Sequence, residues 1–208
     1  MKKQKSLFYL ALGDSYTIGE SLPLKGNFPN QLVTLLAEDK ITFHSPRIIA
    51  KTGWTTDELE TGIRNAGSIE PFLPVYDLVS LLIGVNDQYR GRPVSEYRPA
   101  FEELLKKAIR FAGNDTSHVI VLSIPDWGVS PFAEGRDREK IAAEINAYNQ
   151  VNREITSKYK VHYIDITPST REAAKDPGLL AGDGLHPSAK EYSKWAILLK
   201  EYVKGLKF

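Results

Sequence analysis

A three-layer α/β/α domain is the fold class this sequence predicts, with a five-stranded, mostly parallel sheet in the order 2-1-3-4-5. Three observations carry it. Short apolar or β-branched runs alternate along the whole chain with longer stretches of helical periodicity. The run Leu78-Val79-Ser80-Leu81-Leu82-Ile83 is apolar almost throughout, as a strand covered on both faces must be. The 208 residues contain no repeat, linker or low-complexity stretch, which suits a single domain over residues 1–208.

In chain order, Leu7 to Leu12 reads as the first strand. A helix follows from Phe28 through Ala37, with Pro29 near its first position, where a missing N–H costs nothing. Arg47-Ile48-Ile49-Ala50 is a short second strand. Thr55 with Glu58 three residues later forms a capping box for a helix to about Ala66. After the third strand, Leu78 to Ile83, a helix from about Ser95 ends at Gly113, a residue suited to a C-terminal cap. Val119-Ile120-Val121-Leu122 is the fourth strand. Ile141, Ile145, Tyr148, Val151 and Ile155 recur at helical spacing and define a long amphipathic helix. Val161-His162-Tyr163-Ile164 is the fifth strand, and Ser188 with Glu191 reads as a second capping box, opening the terminal helix. Such a series gives a doubly wound, flavodoxin-like sheet whose ligand crevice lies at the carboxyl ends of the strands.

Composition excludes several function classes. Twenty-seven basic against 26 acidic side chains give no basic surface for nucleic acid or an anionic membrane. The absence of cysteine rules out a disulfide framework, a Cys-ligated zinc site and a thiol nucleophile. No H-E-x-x-H is present, and one His–Asp pair makes a poor metal site, so neither metal nor cofactor is expected. Lys2-Lys3-Gln4-Lys5 followed by Leu7 to Leu12 faintly imitates a signal peptide, but the apolar run is short and lacks a small-residue cleavage site. A buried first strand and a cytoplasmic location are the expectations, with no membrane span. Oligomeric state is left open.

The crevice rule selects three loops that follow strands: Gly13-Asp14-Ser15-Tyr16-Thr17, Lys51-Thr52-Gly53-Trp54 and Gly84-Val85-Asn86-Asp87-Gln88-Tyr89-Arg90-Gly91. A fourth segment, Asp183-Gly184-Leu185-His186-Pro187, directly precedes the terminal helix. A serine hydroxyl needs a base to become nucleophilic. Ser15, at a strand-to-helix turn, would present its Oγ to the crevice. His186 is the histidine placed for base work, since His44, His118 and His162 lie ahead of or within strands. Asp183, three residues earlier in a glycine-flanked turn, is placed to orient the imidazole. Each residue also has a plainer reading: Ser15 as a helix cap, His186 in a cap arrangement, Asp183 in an Asp-Gly turn.

With these blocks in this order, the sequence resembles the SGNH hydrolases, the GDSL esterase and lipase family. Gly13-Asp14-Ser15 matches its first block, Gly53 its second, Gly84-Val85-Asn86-Asp87 its third (G-x-N-D) and Asp183 to His186 its last (D-x-x-H). Tyr16 stands where the family name has Leu. The resemblance implies an acyl-Ser15 intermediate, with His186 as general base and acid and Asp183 as its partner. It also implies an oxyanion hole from the Ser15 and Gly53 N–H groups and the Asn86 side chain. Gly53 equally suits a helix entry, and Asn86-Asp87 an Asx-turn. Asp14 and Asp87 are expected to hold loops through backbone amides.

Trp54, Tyr89, Arg90 and Trp127 lie on crevice loops as candidate pocket residues, with packing as the alternative for each. The segment Pro125 to Arg136 is the one sizeable further loop. Its Trp127 and Phe132 suit a pocket wall, while Asp126, Glu134 and Arg136 make it too polar for a lipid-binding lid. An open groove for short, soluble acyl esters is therefore expected. The family's substrates run from acetylated sugars to lysophospholipids and acyl-thioesters, and no motif here selects among them. An α/β-hydrolase would need a G-x-S-x-G elbow, which the chain lacks. The remaining alternative is a non-catalytic flavodoxin-like ligand-binding domain, for which Asp183 and His186 would have no use.

Overall fold

The computed structural model describes residues 6–208. Its five strands are β1 (Tyr9–Asp14), β2 (Arg47–Lys51), β3 (Leu78–Leu82), β4 (Val119–Leu122) and β5 (His162–Ile164). They form one sheet in the order β2-β1-β3-β4-β5, and all four neighbouring pairs are parallel. The expected order is the observed one. The three inner strands β1, β3 and β4 are buried along their whole length, which accounts for their apolar character.

The helices are α1 (Ser15–Ile18), α2 (Phe28–Glu38), α3 (Thr56–Ile69), α4 (Val85–Tyr89), α5 (Val94–Phe111), α6 (Arg138–Tyr159), α7 (Thr167–Arg171) and α8 (Ala189–Val203). Right-handed crossovers dictate their sides. The chain steps from β1 outward to β2, then reverses direction through β3, β4 and β5, so α2 covers one face and α3, α5 and α6 the other. α8 packs on α2, and α5 packs on both α3 and α6. The switch point lies between β1 and β3, and their carboxyl ends deliver Ser15 and Asn86 side by side.

Two expectations need correction. The first strand starts and ends two residues later than its apolar run, because Gly13 and Asp14 pair with Ala50 and Lys51 of β2; Leu7 makes only a bridge to Phe43. The basic run Lys2 to Lys5 lies outside the described residues. The second capping box is only half formed. The Ser188 hydroxyl accepts from the Glu191 N–H at 3.4 Å. The Glu191 carboxylate turns inward, accepting from Ser169 Oγ and Trp195 Nε1 at 2.5 and 2.8 Å. Burial of that end of α8 gives the indole N–H a stronger claim on the carboxylate than the helix end has. The Thr55 box does form, its N–H donating to Glu58 at 2.9 Å. Among the described residues no helix is long and apolar enough to cross a membrane.

Candidate active site

The first wall of the site is a turn that tolerates no side chain at Gly13. A Cβ there would lie 2.1 Å from Thr17 Oγ1 and 2.4 Å from the Leu82 carbonyl. With the backbone drawn in this closely, Asp14 ends β1 and Ser15 begins α1. Asp14 caps the helix, its Oδ1 accepting from the Tyr16 N–H at 2.9 Å. Ser15 Oγ then stands 2.9 Å from His186 Nε2. His186 Nδ1 stands 2.7 Å from Asp183 Oδ2. Serine, imidazole and carboxylate thus form one continuous hydrogen-bonded line, with Ser15 and His186 only 4% and 6% exposed.

The D-x-x-H turn makes its own pair. Asp183 Oδ1 accepts from the N–H groups of Leu185 and His186, both at 3.0 Å, which leaves Oδ2 for the ring. Gly184 supplies the left-handed residue that closes the turn, with φ +67°. Ser21 donates to Asp183 Oδ2 at 2.7 Å from 162 positions away. Partial burial opposes ionisation of Asp183, but bonds from Ser21, Leu185 and His186 outweigh it and hold its pKa down to about 2. A carboxyl whose folded pKa is depressed stabilises the fold above its ordinary value of 3.8 and loses that contribution as pH falls through about 2. The melting-temperature advantage of wild type over Asp183→Asn is therefore expected to shrink steadily in acid, from its value at neutral pH. An advantage constant down to the acid limit of folding would contradict it.

The second and third loops face Ser15 across a cavity of about 150 Å³. Gly53 lines it with φ +82°, a conformation that explains glycine there better than space does. Asn86 lines it from α4, its Nδ2 donating to the Trp54 carbonyl at 3.0 Å and lying 3.5 Å from Asp14 Oδ2. Asp87 ties the loops together, accepting from the Thr56 N–H at 3.0 Å and its hydroxyl at 2.8 Å, as expected of a loop-holding carboxylate.

Of the four candidate pocket residues, Tyr89 and Trp127 line the cavity, together with Phe132. Their rings meet at centroid distances of 5.3 to 6.0 Å, and the Arg136 guanidinium lies over all three. Trp127 is held by its indole N–H, which donates to Gln88 at 2.7 Å. Trp54 and Arg90, the other two candidates, are not among the residues that line this cavity. The Trp54 ring covers Gly62 of α3, where a Cβ would come within 2.1 Å of it. Arg90 is drawn away by Glu58, at 3.0 and 3.2 Å, and by the Gly53 carbonyl at 2.7 Å, so it braces the Gly53 loop. The other histidines pack: His44 on Phe8 and His162 on Tyr202, while His118 meets the Asp77 carbonyl at 2.6 Å.

Thr52, Val85 and Leu185 also line the cavity and were not singled out by sequence, nor was Ser21. Thr52, Val85 and Leu185 lie beside the motif residues, so adjacency was their signal; Ser21 had none, since its contact is purely tertiary. Tyr16 flanks the His186 ring at 5.0 Å and contributes to the cavity wall. Among the described residues no three His, Cys, Asp or Glu side chains are grouped to hold a metal ion.

Comparison with solved structures finds the same fold repeatedly. The lipase/acylhydrolase from Enterococcus faecalis superposes with a TM-score of 0.71 at 20% identity, covering 96% of each chain. Axe2, an acetylxylan esterase from Geobacillus stearothermophilus, gives 0.70 at 21% identity, covering 100% of this chain and 98% of its own. The esterase EstA from Pseudoalteromonas sp. gives 0.69 at 16%, covering 96% and 97%. No curated protein matches the sequence significantly. The model of the GDSL-like lipase/acylhydrolase family matches residues 11–194, a span that runs from β1 into α8 and takes in all five segments that line the cavity; the chain belongs to that family.

Proposed function

We propose that this family member is a serine esterase that cleaves short-chain carboxylic esters through an acyl-Ser15 intermediate. The observation that carries the proposal is the unbroken line from Ser15 Oγ through His186 to Asp183 at the cavity floor. In the reading it supports, His186 Nε2 takes the Ser15 proton as Oγ attacks the carbonyl, and Asp183 holds the imidazole tautomer and stabilises the imidazolium. The tetrahedral oxyanion is received by the Ser15 and Gly53 N–H groups and by Asn86. Asn86 Nδ2 has two hydrogens; the Trp54 carbonyl takes one at 3.0 Å and fixes the amide plane, and the second, held only loosely by Asp14 Oδ2 at 3.5 Å, is offered to the oxyanion. Collapse expels the alcohol, protonated by His186, and a water repeats the sequence on the acyl-enzyme. A flavodoxin-like ligand-binding role would leave this line without a purpose.

The size of the cavity and its aromatic wall favour short acyl groups. Phe132 is 45% exposed and Tyr89 42%, so the wall is open to water, and a polar Arg136 crowns it. The reading is tested on 4-nitrophenyl esters from acetyl to dodecanoyl, alongside acetylated saccharides and acyl-thioesters. Acetylated saccharides belong in the panel because Axe2 acts on such a polymer by name. Highest kcat/KM on the shortest esters, with no jump at an emulsion interface, is expected; preference for long-chain emulsions would overturn the short-chain assignment. Phe132→Ala should raise KM several-fold for those esters with kcat little changed, as loss of uniform binding does. Phe132 makes a cleaner probe than Trp127, whose burial means that truncation would also cost about 3–5 kcal/mol of stability.

A further inference from the structure

Asp14 is completely buried beside the nucleophile, yet the proposed mechanism gives it no step. Its Oδ1 is occupied by the Tyr16 N–H at 2.9 Å, and its Oδ2 lies 3.5 Å from Asn86 Nδ2. Among the described residues no lysine or arginine pairs with it. The titratable groups that act on it or feel it are Tyr16 on its own turn, Asp87 from α4 and Tyr192 from α8. Burial keeps both phenols neutral. Asp87 is itself buried and has Arg92 at 3.2 Å. Asp14 is thus a fully buried carboxyl without a cationic partner, and Asp87 is the charged side chain that acts on it; such a group holds its proton.

We propose that Asp14 is a positioning residue that works as a neutral acid, and that its ionisation sets the alkaline limit of ester cleavage. The inference rests on the esterase reading and on Asn86 as an oxyanion donor. While Asp14 is protonated, its Oδ2 is a weak acceptor for the second Asn86 hydrogen, across 3.5 Å, and yields it to the oxyanion. Once ionised, Oδ2 becomes the strongest acceptor near Nδ2 and draws that hydrogen from the cavity. It also sets a negative charge behind the position where the oxyanion develops, in an enclosure that screens it weakly. Burial is the main influence on the carboxyl and pushes its pKa up to about 8, the Tyr16 N–H opposing and Asp87 adding to the rise.

The test compares kcat/KM on a neutral short-chain ester at about pH 7.5 and about pH 9.5 in wild type and Asp14→Asn. Wild type should lose about tenfold or more over that interval. In Asp14→Asn, whose side chain can still cap Tyr16, the ratio should stay within about twofold of unity. A wild-type profile flat to the higher pH, or an equal fall in Asp14→Asn, overturns the proposal. An infrared difference spectrum between Ser15→Ala and Ser15→Ala/Asp14→Asn reads the same carboxyl without turnover. A protonated-acid C=O band at neutral pH that vanishes as pH passes about 8 is expected. Its absence at neutral pH sinks the inference whatever the activity; its presence in a protein that cleaves no ester sinks the esterase reading instead.

Discussion

Ser15→Ala should lower ester turnover by about three orders of magnitude or more, leaving only the small rate that binding and oxyanion stabilisation support. The size follows from geometry. The hydroxyl stands 2.9 Å from His186 Nε2 at the cavity, and removing it leaves a methyl group that cannot attack and has no proton for the imidazole to take. Folding should change little, because Asp14 still caps α1 and the Gly13 turn is untouched. A fluorophosphonate should label Ser15 in the wild type, detected by peptide mapping, and label nothing in the variant. A second labelled serine, or near-normal turnover in Ser15→Ala, would remove the nucleophile from the proposal.

Asn86→Ala should lower kcat by about 10²–10³ with modest change in KM, the loss of about 2.7–4 kcal/mol that a single oxyanion donor contributes in a comparable site. The split between kcat and KM is the diagnostic part. A donor aimed at an oxygen that becomes negative only in the transition state does little for the bound ester. Two structural effects accompany the substitution: the Trp54 carbonyl loses its 3.0 Å donor, and Asp14 loses its neighbour. Asn86→Asp fills the same space but turns an acceptor toward the Trp54 carbonyl and Asp14, so it removes the donor and adds a charge that repels the oxyanion. It should be at least as impaired as the alanine variant and should also melt below wild type. A kcat unchanged in both variants would exclude Asn86 from the oxyanion hole.

Much of this architecture was legible in the sequence, and the reason differs from element to element. The parallel sheet with helices on both faces followed from strand–helix alternation, and its order is that of the flavodoxin-like type. The Thr55 and Glu58 box was legible because both partners lie within one helical turn. The same pattern at Ser188 and Glu191 misled, since Trp195 and Ser169 compete for the carboxylate and sequence spacing cannot weigh that competition. Trp54 and Arg90 show the same gap. Their loop positions put their backbones at the crevice, but Gly62 admits the indole and Glu58 captures the guanidinium.

The sequence by itself therefore determined the local devices: the turn that brings Asp183 to His186, the glycines at 13, 53 and 84, and the apolar runs that become inner strands. Each depends on residues a few positions apart, where covalent geometry limits the outcomes. The tertiary structure alone decided which distant groups meet. His186 reaches Ser15 across 171 positions and Ser21 supports Asp183 across 162. Three aromatic rings gather under Arg136 from two separate loops, and Asp14 ends with its second oxygen accepting from Asn86 at 3.5 Å. Those meetings are set by packing of whole layers, and a side chain's direction within a packed layer depends on every neighbour that competes for the same space or hydrogen bond.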